Sequence, residues 1–141
     1  MTRAVLDTNV LASGVTHPKG HSGQLLMAWR RRAFTIVVSE HILEELAETL
    51  EDRYFRKRLT SRERQAIISR LRRQAQRTEI SAKVTGVAPS PNDDLVLATA
   101  ESGGAEYVVT GDAKFLAVKE FRGIEILSPS AFLTLLKSRA G

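Results

Sequence analysis

The sequence predicts an α/β protein whose strands are parallel and buried on both faces. Short apolar runs rich in β-branched residues alternate along the chain with segments of helical periodicity. The apolar runs are nearly continuous rather than alternating with polar residues, which is typical of parallel strands covered by helices on both sides. In such a fold ligands bind beyond the carboxyl ends of the strands.

The first half of the chain is predicted to contain two strands and three helices. Residues 4–6 and 34–38 are the two apolar runs, and the spacing of Leu25, Leu26 and Trp29 predicts a helix over 23–32 between them. Two helices follow, each with one apolar stripe. The first covers 40–51, and the second is capped by Thr60 or Ser61 and runs to about residue 77.

The second half is predicted to contain three strands and two helices. A weak strand candidate covers residues 79–81, and stronger ones cover 107–110 and 124–127. A helix over 92–102 stops at Gly103-Gly104, and Ser128-Pro129-Ser130 opens a last helix. The remaining irregular stretches are residues 15–22 and 84–91.

Composition restricts the class of protein. The chain has 141 residues and no cysteine, which fits one domain over residues 1–141 and excludes disulfide scaffolds, thiolate metal sites and cysteine nucleophiles. An acid at position 7 interrupts the N-terminal apolar run, and no run approaches the ~20 residues of a membrane span, so we expect a soluble, cytoplasmic protein. The net charge of +5 is compatible with a polyanionic partner but is also an ordinary solubility charge.

Acidic side chains collect at the carboxyl ends of the predicted strands. Asp7 directly follows the first strand, and Asp112 lies two residues beyond the strand over 107–110. Asp93 and Asp94 open the next helix, and Glu44 and Glu45 lie on opposite flanks of the helix over 40–51, so periodicity does not choose between them. Clustered carboxylates repel one another and require a cation, and oxygen ligands suit Mg²⁺ or Mn²⁺. Such an ion promotes phosphodiester hydrolysis.

Each acid also has a purely structural interpretation. Asp93 and Asp94 can cap the amides at a helix N-terminus, and Asp112 can be a turn residue. Either glutamate can be a solvated helix acid. Asp7 is harder to explain in this way, because an acid at the end of a buried strand needs a partner. The joint occurrence of these acids favours the metal-site hypothesis.

Four short motifs contain these acids. They are Val5-Leu6-Asp7-Thr8-Asn9-Val10-Leu11, the segment from Val38-Ser39 to Glu45-Leu46, Asn92-Asp93-Asp94-Leu95-Val96-Leu97-Ala98-Thr99-Ala100, and Val108-Val109-Thr110-Gly111-Asp112 with Phe115-Leu116. In this order, and over nearly the whole chain, they resemble the PIN-domain family of nucleases. The resemblance is greatest to VapC-like toxins of bacterial and archaeal toxin–antitoxin pairs.

The resemblance implies a three-layer α/β/α sandwich around a central parallel sheet of about five strands. It also implies Mg²⁺- or Mn²⁺-dependent hydrolysis of RNA, a cognate antitoxin and a homodimer. Glu45 rather than Glu44 matches the acid that the family places just before a helical Leu. The implied catalytic and metal-binding residues are Asp7, Glu45, Asp93 and Asp112, and the implied supporting residues are Asn9, Thr110, Asp94 and Ser39. For Thr110 and Ser39 a capping or strand-end hydroxyl is an equal alternative.

Basic residues are concentrated between positions 53 and 77, which contain ten Arg or Lys and one acid. Arg70, Arg73 and Arg77 are predicted to share one face of the helix and to bind RNA, although a solvated charged face is the usual meaning of such a run. The stretch over 15–22, with its two His, is interpreted as a mobile flap near Asp7 that contacts substrate. The two Tyr and one Trp form no evident base-stacking platform.

Three other functions are alternatives to the nuclease. A phosphatase of the haloacid dehalogenase type needs Asp-x-Asp after the first strand, and position 9 is Asn. A phosphoacceptor signalling domain usually has an acidic pair before the acceptor strand, and neither class explains Glu45 together with Asp93. A catalytically weak RNA- or protein-binding module is the main alternative.

Overall fold

The computed structural model describes residues 1–140. Over these residues it contains six strands and eight helices, which alternate as expected for an α/β protein. In chain order they are β1 (Arg3–Leu6), α1 (Thr8–Thr16), α2 (His21–Arg30), β2 (Thr35–Val38), α3 (Glu40–Leu50), α4 (Arg53–Arg56), α5 (Ser61–Gln74), β3 (Gln76–Arg77), α6 (Pro91–Gly103), β4 (Tyr107–Val109), α7 (Ala113–Leu116), β5 (Glu120–Phe121), β6 (Ile124–Leu127) and α8 (Pro129–Ala140).

The strands form one mixed sheet in the order β3-β2-β1-β4-β6-β5. All neighbouring pairs are parallel except β5 and β6, which are antiparallel. The chain adds β2 and β3 on one side of β1 and then β4 and β6 on the other side. The strand order therefore reverses between β1 and β4, and the carboxyl ends of these two strands are where an α/β sheet forms its ligand crevice.

Helices cover both faces of the sheet and give the predicted three-layer α/β/α sandwich. Helix α6 packs on β1, β2 and β4, while α2 contacts α1 and α8. The end of α6 lies very close to β2, because a Cβ at Gly103 would be 2.4 Å from Val37 Cγ1. Gly104 then ends the helix in the left-handed conformation, with φ at +69°. No helix within residues 1–140 is long and apolar enough to cross a membrane.

Four of the five predicted strands are confirmed, and the fifth is misplaced. Residues 79–81 form no strand; instead the polar pair Gln76–Arg77 forms β3 by backbone pairing with Val37 and Val38. Strand β5 was not predicted at all. It pairs with β6 through a two-residue turn in which Arg122 and Gly123 both have positive φ, a hairpin geometry set by the backbone. Strands of two residues carry no hydrophobic pattern, so periodicity does not detect them.

The helix predictions need three corrections. Helix α1 was not predicted and extends to Thr16, and α2 begins at His21, so half of the stretch over 15–22 is helical and only residues 17–20 are irregular. Gly14 permits this tight α1–α2 packing, because a Cβ there would be 2.7 Å from Leu26 Cδ1. Helix α5 ends at Gln74 rather than near residue 77, and the next residue is extended. The four-residue helices α4 and α7 are too short for a periodic signal.

The predicted flap is not near Asp7. The connection between α1 and α2 is reduced to residues 17–20, which follow the C-terminus of α1. Asp7 caps the opposite end of the same helix, so the two lie apart by the length of α1. The predicted position of the flap is wrong because residues 8–16, between Asp7 and this loop, form a helix.

Candidate active site

Asp7 lies at the junction of β1 and α1, next to the point where the strand order reverses. Its backbone N–H donates to Val109 O at 2.9 Å, which continues the pairing of β1 with β4. The carboxylate is only 5% exposed, and each oxygen accepts one hydrogen bond, Oδ1 from Thr8 N and Oδ2 from Thr110 Oγ1, both at 2.8 Å. These two donors fix the orientation of the carboxylate.

Thr110 connects Asp7 to Asp112. The buried Thr110 hydroxyl donates to Asp7 and accepts from Asp112 N at 3.1 Å. Asp112 is exposed and caps the short helix α7, because its Oδ1 accepts from Lys114 N at 3.0 Å. Within residues 1–140, the second oxygen of Asp112 accepts no hydrogen bond from the protein. The capping role therefore leaves this oxygen available to bind a ligand.

Glu45 approaches the same junction from α3. Its Oε1 accepts from Thr8 Oγ1 at 2.7 Å, and its Oε2 lies 3.7 Å from His41 Nε2, one helical turn earlier. Glu44 is exposed on the surface of the helix. Of the two glutamates that periodicity left open, Glu45 is therefore the one that contacts the β1–α1 junction.

Asp93 and Asp94 begin α6 but face different surroundings. Asp93 N donates to the capping Ser90 Oγ at 3.1 Å, and the Asp93 carboxylate is half-buried near the other acids. The buried Asp94 carboxylate instead accepts three backbone N–H bonds from the preceding loop, at 2.8 to 3.1 Å, from Gly86, Val87 and Ala88. Asp94 thus holds residues 86–88 against α6.

The two remaining supporting residues behave differently. Ser39 is buried and caps α3, where its Oγ accepts from Ile42 N at 3.4 Å and shares a hydrogen bond with Thr99 Oγ1 at 2.8 Å. Asn9 is exposed in the first turn of α1. The hydroxyl of Ser39 thus caps α3, which agrees with the alternative interpretation of Ser39 as a capping residue.

Electrostatic repulsion links the acids. Burial raises the pKa of Asp7 to about 6, and the nearby Asp93 and Glu45 carboxylates raise it too, against hydrogen bonds from Thr110 and Thr8 that lower it. The pKa of Asp93 is also raised, first by burial and then by the carboxylates of Asp112 and Glu45, against the opposing hydrogen bond from Ser90. Within residues 1–140, none of the ion pairs involves Asp7, Asp93 or Asp112. In the described part of the chain, these three carboxylates therefore have no ion-pair partner.

The donor set fits a hard divalent cation. Every candidate ligand is a carboxylate, a hydroxyl or an amide oxygen, which are the ligands of Mg²⁺ and Mn²⁺. Over residues 1–140 no three His, Asp or Glu side chains already lie close enough to hold one ion together. Mg²⁺ usually keeps several waters and takes one or two carboxylates from the protein, so a partly assembled set of this kind suits it.

The three predicted RNA-binding arginines do not share one helix face. Arg70 and Arg73 lie on α5, whereas Arg77 lies on β3 because α5 ends at Gln74. Arg77 lines a groove with Ser39 and His41 near the carboxyl end of β2. The prediction of one continuous arginine stripe is therefore wrong.

Two residues of the site were missed in the sequence. Thr8 bridges Asp7 and Glu45 through its backbone and hydroxyl, and His41 contacts Glu45. The spacing of His41 and Glu45, four residues apart on a helix, was the available signal for the second contact. Thr8 had no such signal, because its hydroxyl acts on a residue 37 positions away.

The fold and the sequence both match known proteins. The structure of VapBC2 from Rickettsia felis bound to a DNA fragment from their promoter is similar with a TM-score of 0.61 and 18% identity, over 90% of this chain and 98% of that chain. The structure of PAE2754 from Pyrobaculum aerophilum is similar with a TM-score of 0.66 and 17% identity, over 97% of this chain and 90% of that chain. No curated protein sequence matches the chain. A family model described as PIN domain matches residues 3–114, and PIN domains are in general nucleases. The chain belongs to the PIN domain family.

Proposed function

We propose that this protein is a ribonuclease that depends on Mg²⁺ or Mn²⁺ and acts as the toxin of a toxin–antitoxin pair. One observation carries the proposal: Asp7 is buried at the β1–β4 crevice beside other acids, and burial together with the Asp93 and Glu45 carboxylates raises its pKa. An uncompensated carboxylate in that position is costly for folding, which is the signature of a site built for a cation.

The protein's own residues would hold the acids in place for catalysis. Thr110 and Thr8 N orient Asp7, the Thr8 hydroxyl orients Glu45, and Lys114 N orients Asp112. We assign metal binding to Asp7 and Asp112 with help from Asp93 and Glu45. A bound divalent ion would supply activation of a water nucleophile and neutralise charge on the phosphate.

Metal binding is tested by thermal unfolding. We expect millimolar Mn²⁺ or Mg²⁺ to raise the melting temperature, because a ligand that binds only the native state stabilises it by about 2.7 kcal/mol at a hundredfold excess over Kd. Asp112→Asn should keep the fold, since an amide oxygen can still accept from Lys114 N, but should lose most of the metal-induced rise. Equal melting temperatures with metal and with chelator would instead favour the catalytically weak binding module.

The toxin role is supported by the fold shared with VapBC2, in whose structure a DNA fragment from the promoter is bound. We expect induced expression of the wild-type chain to arrest growth of a bacterial host, and expression of Asp112→Asn at the same level to leave growth unchanged. The proposal includes an antitoxin partner and a homodimer. Sedimentation equilibrium of the purified chain would detect the homodimer. Equal growth with both proteins would count against a toxin.

A further inference from the structure

A basic and aromatic surface lies at the far end of α1 from the acids. We call it the Tyr54 patch and define it by five residues of α4 and the following turn, Arg53, Tyr54, Arg56, Lys57 and Arg58. All five are exposed, and Tyr54 is 46% exposed, unusually high for an aromatic side chain. The four cations of the patch outnumber the two preceding acids, of which Glu51 lies 3.7 Å from Arg64 and Asp52 is the N-cap residue of α4.

The aromatic ring of Tyr54 is held in one position. Its hydroxyl lies 2.9 Å from His17 Nε2, and the ring of Phe55 packs against it edge to face at 5.0 Å between centroids. The Arg58 guanidinium covers one face of the ring at 3.7 Å from the centroid, while its NH1 donates to Tyr54 O at 2.9 Å. Tyr54 and Arg58 therefore form a prearranged stack at the protein surface. The sequence gives no signal for this stack, because His17 and Tyr54 are 37 residues apart.

Helix α1 connects this stack to the candidate active site. At the start of α1, Thr8 contacts Glu45 of α3; just past its end, His17 contacts Tyr54. The nine residues of α1 span about 13 Å at 1.5 Å per residue, a distance that a few nucleotides of an extended strand can cover. The α1–α3 seam thus has acids at one end and the Tyr54 patch at the other.

We propose that the Tyr54 patch binds the single-stranded RNA that flanks the cleavage site. A nucleobase stacks on the guanidinium plane of Arg58, which Tyr54 supports from behind, and Arg53, Arg56 and Lys57 contact phosphates. Positive charge alone would suit any polyanion, but a fixed planar stack matches a base in particular. This inference rests on the proposed function, since it takes RNA as the substrate.

The stack is tested by binding without cleavage. A fluorescein-labelled single-stranded RNA is titrated with the full-length protein in chelator, and its anisotropy is measured. We expect Tyr54→Ala and Arg58→Lys each to raise Kd at least about fivefold, because each removes one of the two planar groups of the stack. Tyr54→Phe, which keeps the ring, should stay within about twofold of wild type. Lys57→Ala should make the negative slope of log association constant against log salt concentration shallower by about 0.7.

The matched pair Arg58→Lys and wild type decides the outcome, because lysine keeps the charge and loses the plane. Unchanged affinity in Arg58→Lys, with circular dichroism showing native fold, would overturn the stack and leave only a charged surface. Cleavage by the wild type in Mn²⁺ is measured in parallel. If wild type cleaves no RNA while the stack variants still lose binding, the proposed function fails and the Tyr54 patch stands; if wild type cleaves and the variants bind normally, the patch fails.

Discussion

Asp7→Asn is expected to reduce metal-dependent cleavage of RNA at least about 100-fold, because Lewis-acid and water activation by a bound ion contribute several kcal/mol to the transition state. The substitution removes one negative charge from the centre of the acidic cluster. It preserves shape, since the amide oxygen can still accept from Thr8 N and the Thr110 hydroxyl can rotate to accept from the amide nitrogen. The measurement is cleavage of labelled single-stranded RNA and DNA in Mn²⁺ and in chelator.

A charge-matched control makes this result specific. Glu48→Gln removes one acid from the exposed surface of α3, away from the junction, and should leave the cleavage rate within about twofold of wild type. Wild-type rates in Asp7→Asn, or equal losses in both variants, would contradict the assignment of Asp7. Cleavage that persists in chelator would contradict metal dependence.

The same substitution should stabilise the metal-free protein at neutral pH. Burial raises the pKa of Asp7 to about 6 from 3.8, so between these values the folded state holds a proton that the unfolded state has released. Stability is therefore lost as pH rises from about 4 to about 6, by an amount on the order of 3 kcal/mol. We expect Asp7→Asn to melt higher than wild type at pH 7 in chelator, with no difference near pH 4. A lower melting temperature of Asp7→Asn at pH 7 would contradict a destabilising charge on the buried Asp7.

Most of the layered fold could be predicted because it follows from apolar patterning. The strands that build the centre of the sheet are fully buried runs such as Ala4 to Leu6, and the stripe of α3 is buried as its spacing predicted. The elements that were missed depend on backbone geometry instead. The α5 terminus before Ala75 and the turn at Arg122 and Gly123 are set by local dihedral angles that hydrophobic spacing does not encode.

The candidate site divides in the same way. Strand ends place Asp7 and Asp112 on one edge, so their proximity follows from parallel topology alone. The choice of Glu45 needed either the family resemblance or the contact with Thr8, because both glutamates have the same angular distance from the apolar stripe. The sequence does not predict that Asp93 and Asp94 have different surroundings, because two identical neighbouring residues at a helix N-terminus have the same local pattern.

Those two neighbours should give opposite results when each is changed to asparagine. Asp94→Asn is expected to destabilise the protein by about 2–4 kcal/mol, because charge-assisted hydrogen bonds contribute roughly 1.5–3 kcal/mol each. The carboxylate accepts Val87 and Ala88 N–H at one oxygen and Gly86 N–H at the other, so an amide leaves at least one N–H facing its NH₂ group whichever way it is turned. Its cleavage rate, measured well below the melting temperature, should stay within several-fold of wild type.

Asp93→Asn should instead lose cleavage and keep its stability. Its backbone N–H still donates to Ser90 Oγ, and an amide oxygen can still accept from the Ser90 hydroxyl. Burial and the neighbouring acids, which raise the pKa of Asp93, make its charge unfavourable in the metal-free fold. Denaturant unfolding and cleavage assays on the two variants therefore separate an acid that holds a loop from an acid that serves the metal. A stable but inactive Asp94→Asn beside an unstable but active Asp93→Asn would reverse the two roles and move the metal site toward residues 86–88.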